Sequence, residues 1–144
     1  MSQSLLLKGF EVELFTGRLS GENVGVSVPL TKDLPDFVKE PDHRNLEYIT
    51  VPKTEYDELV HELLEPRRKL RTWLASRNLT LLPGSTLSLG ESSSFERSDP
   101  LNTYHDFIEA KYGTRVVTAS IHINLGIDDL ASLFAALRLV RCEA

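Results

Sequence analysis

The first third of the chain contains three short stretches with the pattern of β-strands. Over 5–15, apolar residues come to alternate with Glu11 and Glu13, which is typical of a strand with one buried face. Over 24–28, valines alternate with small residues after turn-forming glycines, and this predicts an antiparallel hairpin with the first stretch. A third β-prone stretch spans 46–51.

The next segment has the spacing of a helix. Between Tyr56 and Leu74 the apolar residues recur every three or four positions, as they do on one face of an α-helix. Thr54 precedes this pattern with an acid three residues later, which predicts an N-cap. Pro66 lies inside the pattern and predicts a kink or a break, because proline has no backbone N–H. The proline-containing segment 35–41 is predicted to be a loop.

The remaining segments are short strands and loops. Residues 79–82 and 85–89 are β-prone, and the serine-rich segment 90–99 is predicted to be a mobile polar loop. Residues 116–125 are predicted to form one continuous strand, with His122 and Asn124 on its polar face.

Two further helices complete the pattern. Asn102 or Thr103 can cap a helix over 104–112, and Asp128 can cap a final helix that begins at Leu130. The order of the elements predicts an α+β fold, in which a largely antiparallel sheet has helices packed on one face.

Composition narrows the class of protein. The 144 residues suffice for one domain with a real core. The 21 Asp and Glu residues outnumber the 16 Lys and Arg residues, and this net charge of −5 argues against binding to nucleic acid. No apolar run approaches the ~20 residues of a membrane span. The single Cys142 cannot form an internal disulfide, which favours a reducing cytoplasm, and its helical surroundings predict a small buried hydrophobe.

Three glutamates are candidate metal ligands. Glu11 and Glu13 point the same way from one strand, so their carboxylates can converge on a divalent cation. Glu47 can add a third carboxylate if its strand neighbours the first, which makes an oxygen-rich site suited to Mg²⁺ and nucleotide phosphates. Alternatively, all three are solvated glutamates on the wet face of the sheet.

His122 and Asn124 are candidates of a second kind. They share the polar face of an otherwise apolar strand, where they can be either ligands or a hydrogen-bonded pair. The spacing of the two residues favours neither alternative.

Five ordered blocks of sequence resemble one known family. The chain looks like the N-terminal part of a glutamate–cysteine ligase of the cyanobacterial type, within the carboxylate–amine ligases that share the glutamine-synthetase-like fold. The resemblance runs from about Leu6 to the last residue. The blocks that carry it are Lys8–Phe15, Arg44–Tyr48 with Pro52, Leu82–Gly90, Ser98–His105 and Tyr112–Asn124.

The resemblance implies an ATP-dependent reaction. In such ligases ATP phosphorylates the γ-carboxylate of L-glutamate, and the amine of L-cysteine then displaces phosphate to give γ-glutamylcysteine, the first step of glutathione synthesis. The implied cofactor is Mg²⁺, and the implied partners are the small-molecule substrates L-glutamate, L-cysteine and ATP. Carboxylates on the strands hold Mg²⁺ ions that bridge the phosphates.

Site residues follow from the resemblance position by position. Three glutamates match the metal-binding acids, and two polar residues of the later strand match positions that contribute to the metal and nucleotide site. The arginines can pair with substrate carboxylate or phosphate, or can equally be surface residues. The implied roles are metal binding for Glu11, Glu13 and Glu47, cofactor binding for His122, Asn124 and Arg97, and catalysis for Arg44 and Arg115.

Members of the family continue beyond the length of this chain. The resemblance therefore implies that residues 1–144 are the N-terminal part of a single catalytic domain, truncated at the C-terminus and inactive alone. Two alternatives remain open: a non-catalytic Mg-nucleotide-binding or interaction module, and a carboxylate–amine ligase with a different amine substrate. Self-association through an exposed sheet edge is also predicted.

Overall fold

A computed structural model of the chain describes residues 5–88, 95–113 and 115–143. In these ranges seven strands and four helices follow one another along the chain. The strands are β1 (Leu5–Gly17), β2 (Phe37–Lys39), β3 (Asn45–Ile49), β4 (Thr80–Leu82), β5 (Thr86–Ser88), β6 (Val116–Thr118) and β7 (Ile121–Ile127). The helices are α1 (Ser27–Asp33), α2 (Tyr56–Ala75), α3 (Thr103–Tyr112) and α4 (Leu130–Glu143).

The long strand β1 organises the main sheet. One of its edges pairs with β3, which in turn pairs with β2. The other edge pairs with β7 along its first part and with β4 at its end. β5 and β6 form a separate two-stranded sheet, and every pairing between the named strands is antiparallel. The predicted α+β fold with a largely antiparallel sheet is confirmed.

The core lies on one face of this sheet. Val12, Leu46 and Tyr48 project from the strands and pack with Leu70 and Leu74 of α2, all nearly inaccessible to solvent. The apolar stripe of α2 faces the sheet, as its spacing predicts, because residues three and four positions apart lie on the same face of a helix. The predicted packing of helices on one face is confirmed for α1 and α2, which both contribute to this core.

The predicted hairpin is wrong. Residues 27–33 form α1 rather than a strand, and between Gly17 and Asn23 there is only an isolated bridge. More distant strands occupy most of both edges of β1, and the contact of this segment with β1 is limited to its end, where the backbone N–H of Val24 donates to the carbonyl oxygen of Thr16 at 2.9 Å. Pro29 falls in the first turn of α1, where its missing N–H costs nothing.

Pro66 does not divide α2, which runs unbroken for 20 residues. Packing compensates for the hydrogen bond that proline cannot make, because α2 buries Leu70 and Trp73 against the sheet. The hydroxyl of Tyr48 also donates to the carbonyl oxygen of Leu63 at 2.9 Å, one turn before the proline. Tertiary contacts thus override the local preference.

The stretch predicted as one strand over 116–125 is two strands in different sheets. The break falls at Ala119 and Ser120, where Ser120 makes two hydrogen bonds to Glu13. Its carbonyl accepts from the backbone N–H of Glu13, and its own N–H donates to the Glu13 carboxylate, each at 2.9 Å. At this point the Glu13 side chain therefore accepts the hydrogen bond that a partner strand would otherwise accept.

Smaller differences concern caps and burial. The N-cap of α2 is Glu55, without a side-chain hydrogen bond, rather than Thr54. Asp129 rather than Asp128 accepts from a backbone N–H, that of Ser132, in the first turn of α4. Asn102 does cap α3, as predicted, but Cys142 is exposed rather than buried.

Two segments, 35–41 and 90–99, are predicted to be loops. The segment 35–41 contains β2, which pairs with β3. Half of the polar loop over 90–99, residues 90–94, falls outside the described residues, and its predicted mobility stays a prediction. In the described parts of the chain, no helix is both long enough and apolar enough to cross a membrane.

Candidate functional site

The face of the sheet opposite the core carries a cluster of acidic side chains. In the register of β1 and β3, Glu13 lies directly opposite Glu47. In the register of β1 and β7, Glu11 lies directly opposite His122, and Gly9 lies opposite Asn124. The alternation of β1 buries Val12 in the core and so turns both flanking glutamates to this face.

Side chains of β7 orient the Glu11 carboxylate. Its Oε1 accepts a hydrogen bond from Asn124 Nδ2 at 3.0 Å, and its Oε2 lies 3.0 Å from His122 Nδ1. The other ring nitrogen of His122, Nε2, lies 3.0 Å from the hydroxyl oxygen of Ser120. Both ring nitrogens of His122 therefore have a partner, and His122 and Asn124 each contact the Glu11 carboxylate rather than each other. Their role as ligands stays a prediction.

In the described part of the chain, five residues form two candidate metal groups. Glu11, Glu47 and His122 can each offer one donor atom within 4.8 Å of the others, and so can Glu13, Glu40 and Glu47. Glu47 belongs to both groups and is largely buried, with 9% of its surface exposed. The three glutamates predicted from the sequence therefore do come together.

Glu40 is the member that sequence reasoning missed. It directly follows β2, whose Val38 lies opposite Glu47, so alternation along the strand returns Glu40 to the acidic face. The available signal was the short β-prone pair Phe37 and Val38 two residues earlier. The prolines on either side of that pair masked the signal.

The crowding of carboxylates raises the pKa of two of them. Burial, reinforced by the charges of Glu13 and Glu47, raises the pKa of Glu40 to about 7. Burial also raises the pKa of Glu47, with Glu11 and Glu13 as the neighbouring negative charges. A cation placed among these groups would lower both pKa values again, because it stabilises the charged form of each carboxylate.

The Glu11–His122 contact has the opposite effect on its two partners. The hydrogen bond from His122 lowers the pKa of Glu11, and that from Asn124 lowers it further. The same hydrogen bond to Glu11 raises the pKa of His122, with Glu13 as an additional negative charge. The contact therefore favours the protonated imidazolium, whose positive charge lies beside the carboxylates.

The donor set fits a hard divalent cation. Four carboxylates and one imidazole surround the space, and carboxylate oxygens are the donors that Mg²⁺ prefers. Ligand oxygens on opposite sides of Mg²⁺ lie about 4.2 Å apart, since each bond is about 2.1 Å. The donor atoms of each group lie within 4.8 Å of one another, near enough for one ion to reach them after small side-chain movements. Glu11, Glu13, Glu40, Glu47 and His122 are the residues that would hold such an ion.

A pocket of about 160 Å³ adjoins the acidic cluster. Glu13 and Glu40 line it together with Asn45, and apolar side chains from α3 and β6 form other parts of its wall. Asn45 reaches this side of the sheet because it lies two residues before Glu47 on β3. A small organic molecule can therefore lie next to the carboxylates.

The three predicted arginines lie elsewhere or are bound to other groups. Arg44 is buried and donates two hydrogen bonds to Asp42, from Nε at 2.8 Å and from Nη2 at 2.7 Å. Arg97 pairs with Asp106 and Glu109 of α3. These partners raise the pKa of both guanidinium groups further above the neutral range. Arg115 is exposed, and the catalytic and cofactor-binding roles of all three stay predictions.

Comparison with known protein families identifies the family of the chain. A model of Glutamate-cysteine ligase family 2 (GCS2) matches residues 7–144, which is nearly the whole chain. The chain belongs to this family. Its match covers β1, β3 and β7, the strands that carry the acidic cluster. The search of curated proteins found no match.

Membership in GCS2 gives the chain a class of chemistry. The family is one of ATP-dependent ligases, which act on small molecules. The resemblance stated from the sequence is confirmed at this level.

Proposed function

We propose that the chain serves the ATP-dependent ligation of the γ-carboxyl group of L-glutamate to the amine of L-cysteine, as the first step of glutathione synthesis. ATP transfers its γ-phosphoryl group to the γ-carboxylate, the amine attacks the acyl-phosphate carbon, and phosphate and one proton leave. The observation that supports this most is the convergence of four glutamates and His122 on one sheet face of a chain that belongs to GCS2.

The acidic face would hold Mg²⁺ through Glu11, Glu13, Glu40, Glu47 and His122. When bound there, Mg²⁺ would neutralise negative charge on phosphate oxygens, which is the main electrostatic requirement of phosphoryl transfer. Mg²⁺ is the preferred metal because four of the five donor residues are carboxylates.

The residues around the cluster preorganise it. The backbone N–H of Ser120 fixes one oxygen of Glu13, and Asn124 fixes one oxygen of Glu11. These contacts leave each carboxylate with further lone pairs, because a carboxylate has about four acceptor positions. His122 holds a proton at Nδ1 against Glu11, which a cation can displace.

The experiment is a titration of the chain with Mn²⁺ as a paramagnetic stand-in for Mg²⁺, with and without ATP. We expect Glu47→Gln to weaken Mn²⁺ binding at least about tenfold, because Glu47 belongs to both groups of ligands. Glu58→Gln changes an exposed glutamate of α2 in the same way and serves as the control. Equal Mn²⁺ affinity in both variants would overturn the proposal.

A second candidate is a non-catalytic module that binds Mg-nucleotide. This candidate is favoured by the pairing of Arg44 and Arg97 with carboxylates of the chain itself. Guanidinium groups held in this way are less free to bind a substrate. An assay for ADP separates the two: glutamate-dependent ADP formation supports the ligase, and ATP binding without ADP formation supports the module. Replacing cysteine by other amino acids in the same assay tests for a ligase with a different amine substrate.

Two further features belong to this proposal. We propose a cytoplasmic location, since ATP and a reduced Cys142 are both compatible with it. We also propose self-association at β7, whose Ile121, Ile123 and Leu125 are 47–64% exposed. Light scattering at several protein concentrations tests the second point, and a mass that stays monomeric contradicts it.

A further inference from the structure

The pocket beside the acidic cluster contains an unused hydrogen-bond acceptor. Asn45 is 2% exposed, and its Nδ2 donates to the carbonyl oxygen of Thr118 at 2.7 Å. Its Oδ1 is buried and has no hydrogen-bond partner among the residues that the structure describes. Since Thr118 holds the nitrogen side of the amide, the oxygen is directed away from β6.

An unpaired buried carbonyl oxygen is uncommon, because burial removes it from water without compensation. Asn45 lines the pocket together with three carboxylates, those of Glu13, Glu40 and Asp42, and with Thr118. Asp42 is already paired with Arg44, and the side chains of Asn45, Glu13 and Glu40 offer oxygen acceptors, so acceptors predominate in the polar part of the pocket. A ligand that fits it must bring N–H donors and preferably a positive charge.

The rest of the wall decides between a metal ion and an organic cation. Phe95, Ile108, Val116 and Val117 line the same pocket and offer no ligand atoms. Mg²⁺ keeps several of its waters and would gain nothing from such a wall. An ammonium group attached to a short carbon chain matches both the acidic part and the apolar part of the wall. The volume of about 160 Å³ equals about five molecules of liquid water, the scale of an amino acid rather than a nucleotide.

We propose that this pocket binds the α-ammonium group of the amino acid whose carboxyl group is activated, and that Asn45 Oδ1 accepts one of its hydrogen bonds. The inference rests on the proposed ligase function. The amino acid that acts as amine is the less suitable occupant. Acidic neighbours hold an ammonium group in its protonated form, and only a neutral amine can attack.

The test compares two ligands that differ only in the ammonium group. Binding of L-glutamate and of glutarate is measured by calorimetry in the presence of Mg²⁺, for the wild-type chain and for Asn45→Ala. We expect the wild type to bind glutamate at least about tenfold more tightly than glutarate, as for one hydrogen bond to a charged group. We expect Asn45→Ala to reduce that ratio to about threefold or less.

Each outcome has one meaning. A wild-type chain that does not prefer glutamate overturns the inference without any variant. A variant that loses affinity for both ligands equally gives Asn45 a structural role only, and one that loses Mn²⁺ affinity to the same degree makes it a metal ligand. The proposed function fails on a separate measurement, the Mn²⁺ affinity of Glu47→Gln, so the two failures are distinguishable.

Discussion

Glu13 on β1 and Glu47 on β3 face each other directly across an antiparallel strand pair. Like charges in directly opposed positions destabilise a sheet, and here Glu40 adds a third carboxylate to the same group. Glu47 is also largely buried, so water screens the repulsion poorly. The chain therefore carries a local cost that a bound cation would remove, which makes stability a readout for the site.

Replacing Glu47 by Gln should stabilise the cation-free chain and abolish its response to cations. Removal of one of two opposed charges is expected to raise the free energy of unfolding by about 0.5–1 kcal/mol. The wild type should gain stability with increasing Mg²⁺ or Mn²⁺, because the cation binds only the folded state. Urea unfolding followed by the fluorescence of Trp73, the single tryptophan, measures both effects.

Glu58→Gln is the matched control for this variant, since Glu58 is an exposed glutamate of α2 whose carboxylate lies 4.0 Å from Lys53. Its unfolding should respond to Mg²⁺ as the wild type does. A Glu47→Gln chain that keeps the full response would place the cation elsewhere.

Glu40 should make the stability of the chain depend on pH. Its pKa is raised from 4.5 to about 7 in the folded chain, so between these values the folded chain holds a proton that the unfolded chain has lost. Stability therefore falls as pH rises through this window. Glu40→Gln should be more stable than the wild type above pH 7 by about 1–2 kcal/mol, after allowance for solvent screening.

Urea unfolding at pH 5 and pH 8 measures the pH effect. The advantage of Glu40→Gln over the wild type should be small at about pH 5 and larger at about pH 8. Added Mg²⁺ should reduce the advantage at the higher pH, because it stabilises the ionised carboxylate of the wild type. An advantage independent of pH would mean that Glu40 acts through packing rather than through its charge.

Period-two alternation was sufficient to predict much of this site. It placed Glu11 and Glu13 on one face of β1 and His122 and Asn124 on the polar face of a later strand, because a strand alternates its side chains wherever it lies in a sheet. Alternation cannot tell which strands pair, however. The sheet order therefore came only from the structure, and the family resemblance was what favoured ligands over solvated glutamates.

The misses have a common physical origin in long-range contacts. The hairpin was wrong because β1 pairs with strands from the middle and the end of the chain, and Glu40 was missed because β2 exists only through its pairing with β3. The division at Ser120 depends on the Glu13 side chain, more than 100 residues earlier in the sequence. Such contacts cannot be predicted from the local pattern of apolar and polar residues.

Cation binding should release protons from the site. The Glu11 contact raises the pKa of His122, so the imidazole stays protonated to a higher pH than usual and loses its stabilising charge as pH rises through that pKa. A cation competes with this proton for Glu11. Mn²⁺ affinity should therefore increase from about pH 6 to about pH 8, by up to about tenfold per pH unit for each released proton.

His122→Gln isolates the contribution of the imidazole, because its amide can still donate to Glu11 but carries no titrating charge. Its Mn²⁺ affinity should rise less steeply with pH than that of the wild type, and the remaining slope should belong to Glu40. Calorimetry in buffers of different ionisation enthalpy counts the released protons directly. Identical proton release in both chains would separate His122 from the cation site.

The Asp42–Arg44 pair should be a structural element of the fold. The carboxylate of Asp42 is inaccessible to solvent and accepts two hydrogen bonds from the Arg44 side chain, along with the backbone N–H groups of Arg44 and Glu96. Arg44→Met would leave a buried carboxylate without its countercharge and should lower the free energy of unfolding by about 3–5 kcal/mol. Arg44→Lys keeps the positive charge but loses the paired hydrogen bonds of the guanidinium group, and it should lower the free energy of unfolding by less.

Arg115→Lys provides the comparison, because Arg115 is exposed and its replacement should change the free energy of unfolding by no more than about 0.5 kcal/mol. The same three variants separate stability from substrate binding. If Arg44→Lys unfolds like the wild type but binds glutamate or ATP more weakly, then Arg44 serves the substrate, as the family resemblance implies. If it loses stability while the folded chain binds both as before, the Asp42 contact is its function, since a guanidinium held by two hydrogen bonds to one carboxylate has little left to offer a ligand.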